Sequence, residues 1–146
     1  MKRILIVYYS LGGNTKTAAE AVAKGCEESG AQVVLKEGLK AAEKDLLDCD
    51  GLAVGTPDYF SYMAGGLKDF FDRTFYPTQG QVTDKPYVAF VTHGGGGKAI
   101  ASVESTCATF KLKKVAEPVT VKGKPDAQAS AKLMELGKKL VQSLSS

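Results

Sequence analysis

The chain has 146 residues, 44% of them apolar, a formal charge of +3 and a calculated pI of 8.7. That is one globular domain, residues 1–146, able to bury a core without disulfides or a metal. Cys26, Cys49 and Cys107 lack paired spacing and His93 is the single imidazole, which speaks against a metal site, while lysines scattered without a clustered stripe speak against nucleic acid.

Lys2 and Arg3 precede an apolar run, Ile4 to Tyr9, too short for a signal-peptide core or a membrane span, so the chain is read as cytoplasmic. The same run, rich in branched residues, predicts the first strand. Ala18, Val22 and Cys26 then fall on one helical face. A second strand is expected at Val33 to Leu35, an ambiguous stretch with a short helical turn over Glu43 to Asp50, and a third strand at Leu52 to Val54. Met63, Leu67, Phe70, Phe71 and Phe75 repeat at helical spacing, Tyr87 to Val91 reads as a strand, and Ile100, Val103, Cys107 and Phe110 mark another helix. Val119 to Val121 is the fifth strand, and after Pro125 the series Ala129, Leu133, Leu136, Leu140 and Leu144 predicts the last helix. Strands alternating with helices imply parallel pairing through right-handed crossovers, an α/β fold with helices on both faces of one sheet.

Three glycine-rich segments sit where a strand should end and a helix begin: Ser10 to Thr15, Gly55 to Met63 and Thr92 to Lys98. In an open parallel sheet, ligands bind beyond the carboxyl ends of the strands where strand order reverses, so these segments describe a pocket for a flat, phosphate-bearing ligand. In Ser10-Leu11-Gly12-Gly13-Asn14-Thr15 the glycines let backbone amides turn toward one point, and the helix start adds unpaired amides and the positive end of its dipole. A tight turn with Asn14 or Thr15 as helix cap is the competing reading. The dinucleotide fingerprint is absent. Gly97-Lys98 lacks the hydroxyl and leading glycine of a nucleotide-binding P-loop, which disfavours nucleotide hydrolysis.

Together with Gly55-Thr56-Pro57-Asp58-Tyr59-Phe60-Ser61-Tyr62-Met63-Ala64-Gly65-Gly66-Leu67-Lys68-Asp69-Phe70-Phe71-Asp72-Arg73, the first loop makes the chain similar, over essentially its whole length, to the flavodoxin family. The second segment most resembles flavodoxin-like quinone reductases of the tryptophan-repressor-binding-protein type. The resemblance implies a flavodoxin-like doubly wound five-stranded parallel sheet of order 2-1-3-4-5, with FMN at the reversal between strands one and three. It implies phosphate contacts from Ser10, Leu11, Gly12, Gly13, Asn14 and Thr15. Gly12 stands where the family usually carries threonine, so one hydroxyl contact is missing and weaker FMN binding is expected. Ring contacts are expected from Thr56, Pro57, Asp58, Tyr59 and Phe60, with Tyr59 or Phe60 against the flavin, and from Thr92, His93, Gly94, Gly95, Gly97 and Lys98 along its pyrimidine edge. His93 is the catalytic candidate, as proton donor or quinone ligand, against the alternative of a solvated loop histidine.

Two functions follow as expectations. An FMN-binding electron-transfer protein acts with a redox partner protein; an NAD(P)H-dependent quinone or flavin reductase takes NAD(P)H and a small quinone. A response-regulator receiver shares the topology but needs acids after strands one and three, which Ser10 to Gly13 and Gly55 to Pro57 do not supply. The basic balance departs from the acidic docking surface usual for the family, and the oligomeric state stays open.

Overall fold

A computed structural model describes residues 1–144. Its elements run β1 (Arg3–Tyr8), α1 (Asn14–Glu28), β2 (Gln32–Glu37), α2 (Glu43–Asp48), β3 (Gly51–Tyr59), β4 (Tyr62–Met63), α3 (Gly65–Thr78), β5 (Pro86–His93), α4 (Ile100–Thr109), β6 (Lys113–Lys114), β7 (Val119–Lys122) and α5 (Ala127–Gln142). The principal strands lie in the order β2-β1-β3-β5-β7, all parallel, which is the expected 2-1-3-4-5. Chain order therefore reverses at β1 and β3, and the site must be sought beyond their carboxyl ends.

Strand alternation builds two cores. Leu5, Val7, Leu52, Val54 and Ala89 face Leu67, Phe70 and Phe71 of α3 and Val103 and Cys107 of α4. Ile4, Ile6, Ala53, Val88 and Phe90 face Ala18, Val22 and Cys26 of α1 and Leu133, Leu136 and Leu140 of α5. Both faces of the central strands are thus covered, which is why these strands read as continuous apolar runs rather than alternating ones.

Four boundaries differ from the sequence expectation. β3 continues past Pro57 to Tyr59 and β5 through Thr92 and His93 because each gains ladder partners: Pro57 is in register with Thr92, Asp58 and Tyr59 pair with Met63 and Tyr62, and Thr92 and His93 pair with Val121 and Lys122. The segment from Gly55 to Met63 is then not a loop but a hairpin, in which β3 turns at Phe60-Ser61 and returns antiparallel as β4. Met63 accordingly lies on a strand rather than on the helical face assigned to it. The last strand is divided, since β6 pairs with the start of β5 and β7 with its end, with Val115 to Pro118 between them. The ambiguous stretch forms α2, held by the Ala42 amide donating to Asp45 Oδ2 (2.8 Å) and by Lys85 Nζ donating to the Leu46 carbonyl (2.8 Å).

All three cysteines are buried. Burial pushes the Cys26 thiol up to about 12 and the Cys49 thiol up to about 11, and raises Cys107 as well. Native protein is therefore expected to resist iodoacetamide at pH 8 and to take up three labels once denatured; rapid native labelling would contradict the packing. The folded pKa values lie above the ordinary thiol value of about 8.5, so the folded state holds these protons more tightly. Their contribution is present below that value and is lost as pH rises through 11 to 12.

Candidate functional site

The first turn after β1 supplies the strongest local chemistry. Gly13 is the residue preceding α1, with φ 105° and ψ −17°, a left-handed conformation that glycine adopts at no steric cost. Asn14 and Thr15 lie inside the helix, so neither is the cap the sequence suggested. Gly13 is the cap residue and brings no side chain, and the acceptor comes instead from Ser10, whose Oγ accepts from the amides of Gly13 (3.1 Å) and Lys16 (3.2 Å). The amides of Asn14 and Thr15 belong to the first turn and have no intrahelical acceptor. Backbone donors thus converge at the positive end of a 15-residue helix.

A crevice of about 250 Å³ opens beside them, lined by Ser10, Leu11, Gly12, Asn14, Thr15, Pro57, Asp58, Tyr59, Thr92, His93, Gly94 and Gly123. It adjoins a second cavity of about 320 Å³, lined by Asp58, Ser61, His93, Gly94, Gly95, Gly96 and Lys98. The three segments named from the sequence meet here, at the reversal of strand order. Four expected residues sit apart from both linings, and Gly95 and Lys98 line only the second cavity. Gly13 shapes the loop from behind. Thr56 is buried, its hydroxyl donating to the Pro57 carbonyl (2.8 Å) and accepting from the Ala64 amide (2.9 Å), so it braces the hairpin rather than facing the crevice. Phe60 stands fully exposed at the hairpin tip. Gly97, at φ 68°, is buried against the His93 ring and Thr120.

Three features escaped the sequence reading. Asp58 is a clamp: its Oδ1 accepts from the Ser61 amide (2.8 Å) and its Oδ2 from the Ala99 amide (3.1 Å), tying the hairpin to the start of α4. Gly123, whose amide donates to the His93 carbonyl (2.9 Å), brings the end of β7 into the wall. Thr15 and Thr92 share a buried hydroxyl–hydroxyl hydrogen bond of 2.7 Å, which engages the Thr92 side chain with the first turn of α1 rather than with the ring edge expected for it. Of these only Asp58 carried a signal, as an acid three residues before a serine in a turn.

Phe60 and Ser61 both have positive φ, 60° and 63°, as a two-residue hairpin of this hand requires. A bulky residue in that conformation at full exposure is costly and is characteristic of functional sites. Next to the hairpin, burial raises the Tyr59 phenol, as does the neighbouring Tyr9. His93 Nδ1 is buried and has no hydrogen-bond partner among the described residues, leaving an orphaned polar atom in a residue that lines both cavities. Among the described residues no cluster of side chains could hold a metal ion, and no helix is long and apolar enough to cross a membrane.

The model of the NADPH-dependent FMN reductase family matches residues 34–121, more than half of the chain. The chain belongs to this flavodoxin-like family. A flavodoxin of Aquifex aeolicus (strain VF5) is 38% identical over 104 residues, which are 69% of this chain and 56% of that relative. The chain thus spans little more than half the length of that flavodoxin. A flavodoxin from the domain Archaea superposes with a TM-score of 0.91 at 22% identity, covering 99% of both chains. The same fold matches 36% of the rubredoxin oxygen:oxidoreductase of Desulfovibrio gigas, with a TM-score of 0.89, 18% identity and 99% of this chain covered. These two likenesses establish the flavodoxin fold.

Proposed function

We propose that this flavodoxin-like protein binds FMN beyond the carboxyl ends of β1 and β3 and passes electrons to a redox partner, as one cytoplasmic domain over residues 1–146. The observation that carries the reading is the convergence of first-turn amides of α1 on a crevice lined by all three segments. The fit is chemical as well as spatial. The Ser10 hydroxyl accepts from the Gly13 and Lys16 amides through its lone pairs and keeps its own proton free to donate to a phosphate oxygen, beside the unpaired first-turn amides of Asn14 and Thr15. Pro57 and Tyr59 form a rigid, half-apolar wall suited to a flat ring, with Gly94 and Gly95 opposite. Phe60, at the tip of the hairpin, shields the ring from water. The His93 ring borders both cavities, and we assign it the role of turning its buried, unpartnered Nδ1 to a polar atom of the ligand when the ligand binds. When bound, FMN supplies reversible one- and two-electron chemistry.

Four exposed cations stand around this edge, Lys16 and Lys98 at helix starts, Lys122 at the end of β7 and Lys124 on the loop after it, and none forms an ion pair among the described residues. They suit an acidic docking partner, with association slowing as salt rises.

The deciding experiment is anaerobic. FMN-loaded protein should accept electrons from dithionite and leave NADPH unoxidised with or without a quinone. The second reading, an NAD(P)H-dependent quinone or flavin reductase, is favoured by the family model that matches; sustained NADPH oxidation with quinone selects it and overturns the carrier role.

Gly12 offers a gain-of-function test. A Cβ there meets nothing within 4 Å and its φ is outside the left-handed region, so threonine is accommodated. If its hydroxyl reaches the phosphate, Gly12→Thr should tighten FMN binding roughly tenfold, the effect of one hydrogen bond to a charged group. Unchanged affinity in a fluorescence titration would show that position 12 does not address the phosphate.

A further inference from the structure

We infer that Thr92, a strand residue outside the phosphate loop, is the positioning residue that aims the Thr15 hydroxyl at the ligand phosphate; the inference rests on the FMN reading above. The placement follows from strand alternation. Val88 and Phe90 of β5 face α1 and α5, and Thr92 is the next residue on that face. At the carboxyl end of the strand this brings its hydroxyl to the first turn of α1, where its Oγ1 lies 2.7 Å from Thr15 Oγ1. Thr15 is 2% exposed and Thr92 4%, and both line the crevice.

A pair of hydroxyls at this distance shares one proton, so one oxygen donates and the other keeps its own hydrogen free. Beside a dianion the two directions are not equivalent. When Thr92 donates to Thr15, the Thr15 proton is released toward the phosphate, and the two donors act in series, each polarising the next. The opposite direction turns the Thr15 oxygen lone pairs, rather than its proton, toward negative charge. Anion binding therefore selects Thr92 as donor. Thr92 needs no contact with the phosphate to do this, and valine, of the same shape, cannot replace it.

The test compares FMN with riboflavin, which has the ring and ribityl chain but no phosphate, by fluorescence quenching and calorimetry. Thr92→Val should weaken FMN binding about tenfold, as loss of a hydrogen bond in a charged network does, and leave riboflavin within about twofold. Thr92→Ser should restore FMN affinity. In a Thr15→Val background, Thr92→Val should have no further effect on FMN, since the hydroxyl it orients is gone. Riboflavin binding doubles as the check that each variant is folded. Equal losses of FMN and riboflavin, or an unchanged FMN affinity, overturn the inference while the FMN reading stands. A wild-type protein that binds neither flavin overturns both.

Discussion

Replacing Gly137 by alanine is expected to destabilise the protein by about 3 kcal/mol, the upper range for forcing atoms into a packed interface. The reason lies where α1 crosses α5. A Cβ at Gly137 would overlap the Val22 carbonyl and crowd the Cys26 amide, and one at Gly25 would overlap the Met134 carbonyl. These obstacles are backbone atoms of helices, which cannot move aside as a flexible side chain can. Lys138 Nζ, 3.6 Å from Glu28 Oε1, closes the same seam from outside. A melting temperature lower by roughly 6 to 12 °C is the expected readout for a chain of this size. Gly65→Ala is the control, since nothing lies within 4 Å of its Cβ, and it should stay within about 0.5 kcal/mol of the parent. A Gly137 variant as stable as the control would mean that the helices are less closely packed than described.

Gly13→Val should reduce FMN affinity at least about a hundredfold, more than any other single change in the loop, because two or more amide hydrogen bonds to a charged group are lost together. No atom crowds a side chain there; the obstacle is the backbone, held at φ 105°. A branched residue in the left-handed region costs about 1 to 2 kcal/mol, and the chain relieves that strain by rotating the peptide that aims the amides. The apoprotein should lose no more than this from its stability, which separates the change from simple unfolding. Calorimetric titration of Gly13→Val beside the parent checks both quantities. FMN affinity within a few-fold of the parent would place the phosphate away from this turn.

The strands, their order and the three converging segments could be read from the sequence because they leave local traces: branched apolar runs, 3.6-residue periodicity and glycines at strand ends. The flavodoxin likeness supplied the strand order. What could not be read were relations between distant residues. Thr15 meets Thr92 across 77 positions, and Asp58 reaches Ala99 across 41; neither pairing leaves a periodic signal. The third strand, expected over Leu52 to Val54, runs on through Pro57, which lies beyond the last β1 pair, Tyr8 with Gly55, and is in register with Thr92 of β5 on the other side. The glycines misled in both directions. Gly55, prominent in the motif, is a strand residue whose missing side chain makes room for the Phe90 ring, whereas Gly25 and Gly137, unremarked within helical patterns, allow the close approach of α1 and α5. His93 was singled out for its chemistry alone; that its Nδ1 is buried without a partner among the described residues could not be read from the residue type.

The same architecture explains why the crevice is rigid where the phosphate would sit and open where the ring would lie. The phosphate end is framed by a helix start, a serine engaged with two amides and the buried threonine pair. The ring end is framed by the hairpin tip, with Phe60 fully exposed, and by Gly94 to Gly96, all exposed. Side chains able to close over a ligand are thus mounted on a scaffold fixed by the Asp58 clamp.

One titration reaches the centre of this account: apoprotein added to FMN and, separately, to riboflavin, followed by flavin fluorescence. Grip on the phosphate by the start of α1 predicts saturable one-to-one quenching of FMN, with riboflavin bound at least about a hundredfold more weakly for want of those hydrogen bonds. FMN that stays fully fluorescent at excess protein, or the two flavins binding alike, would contradict it.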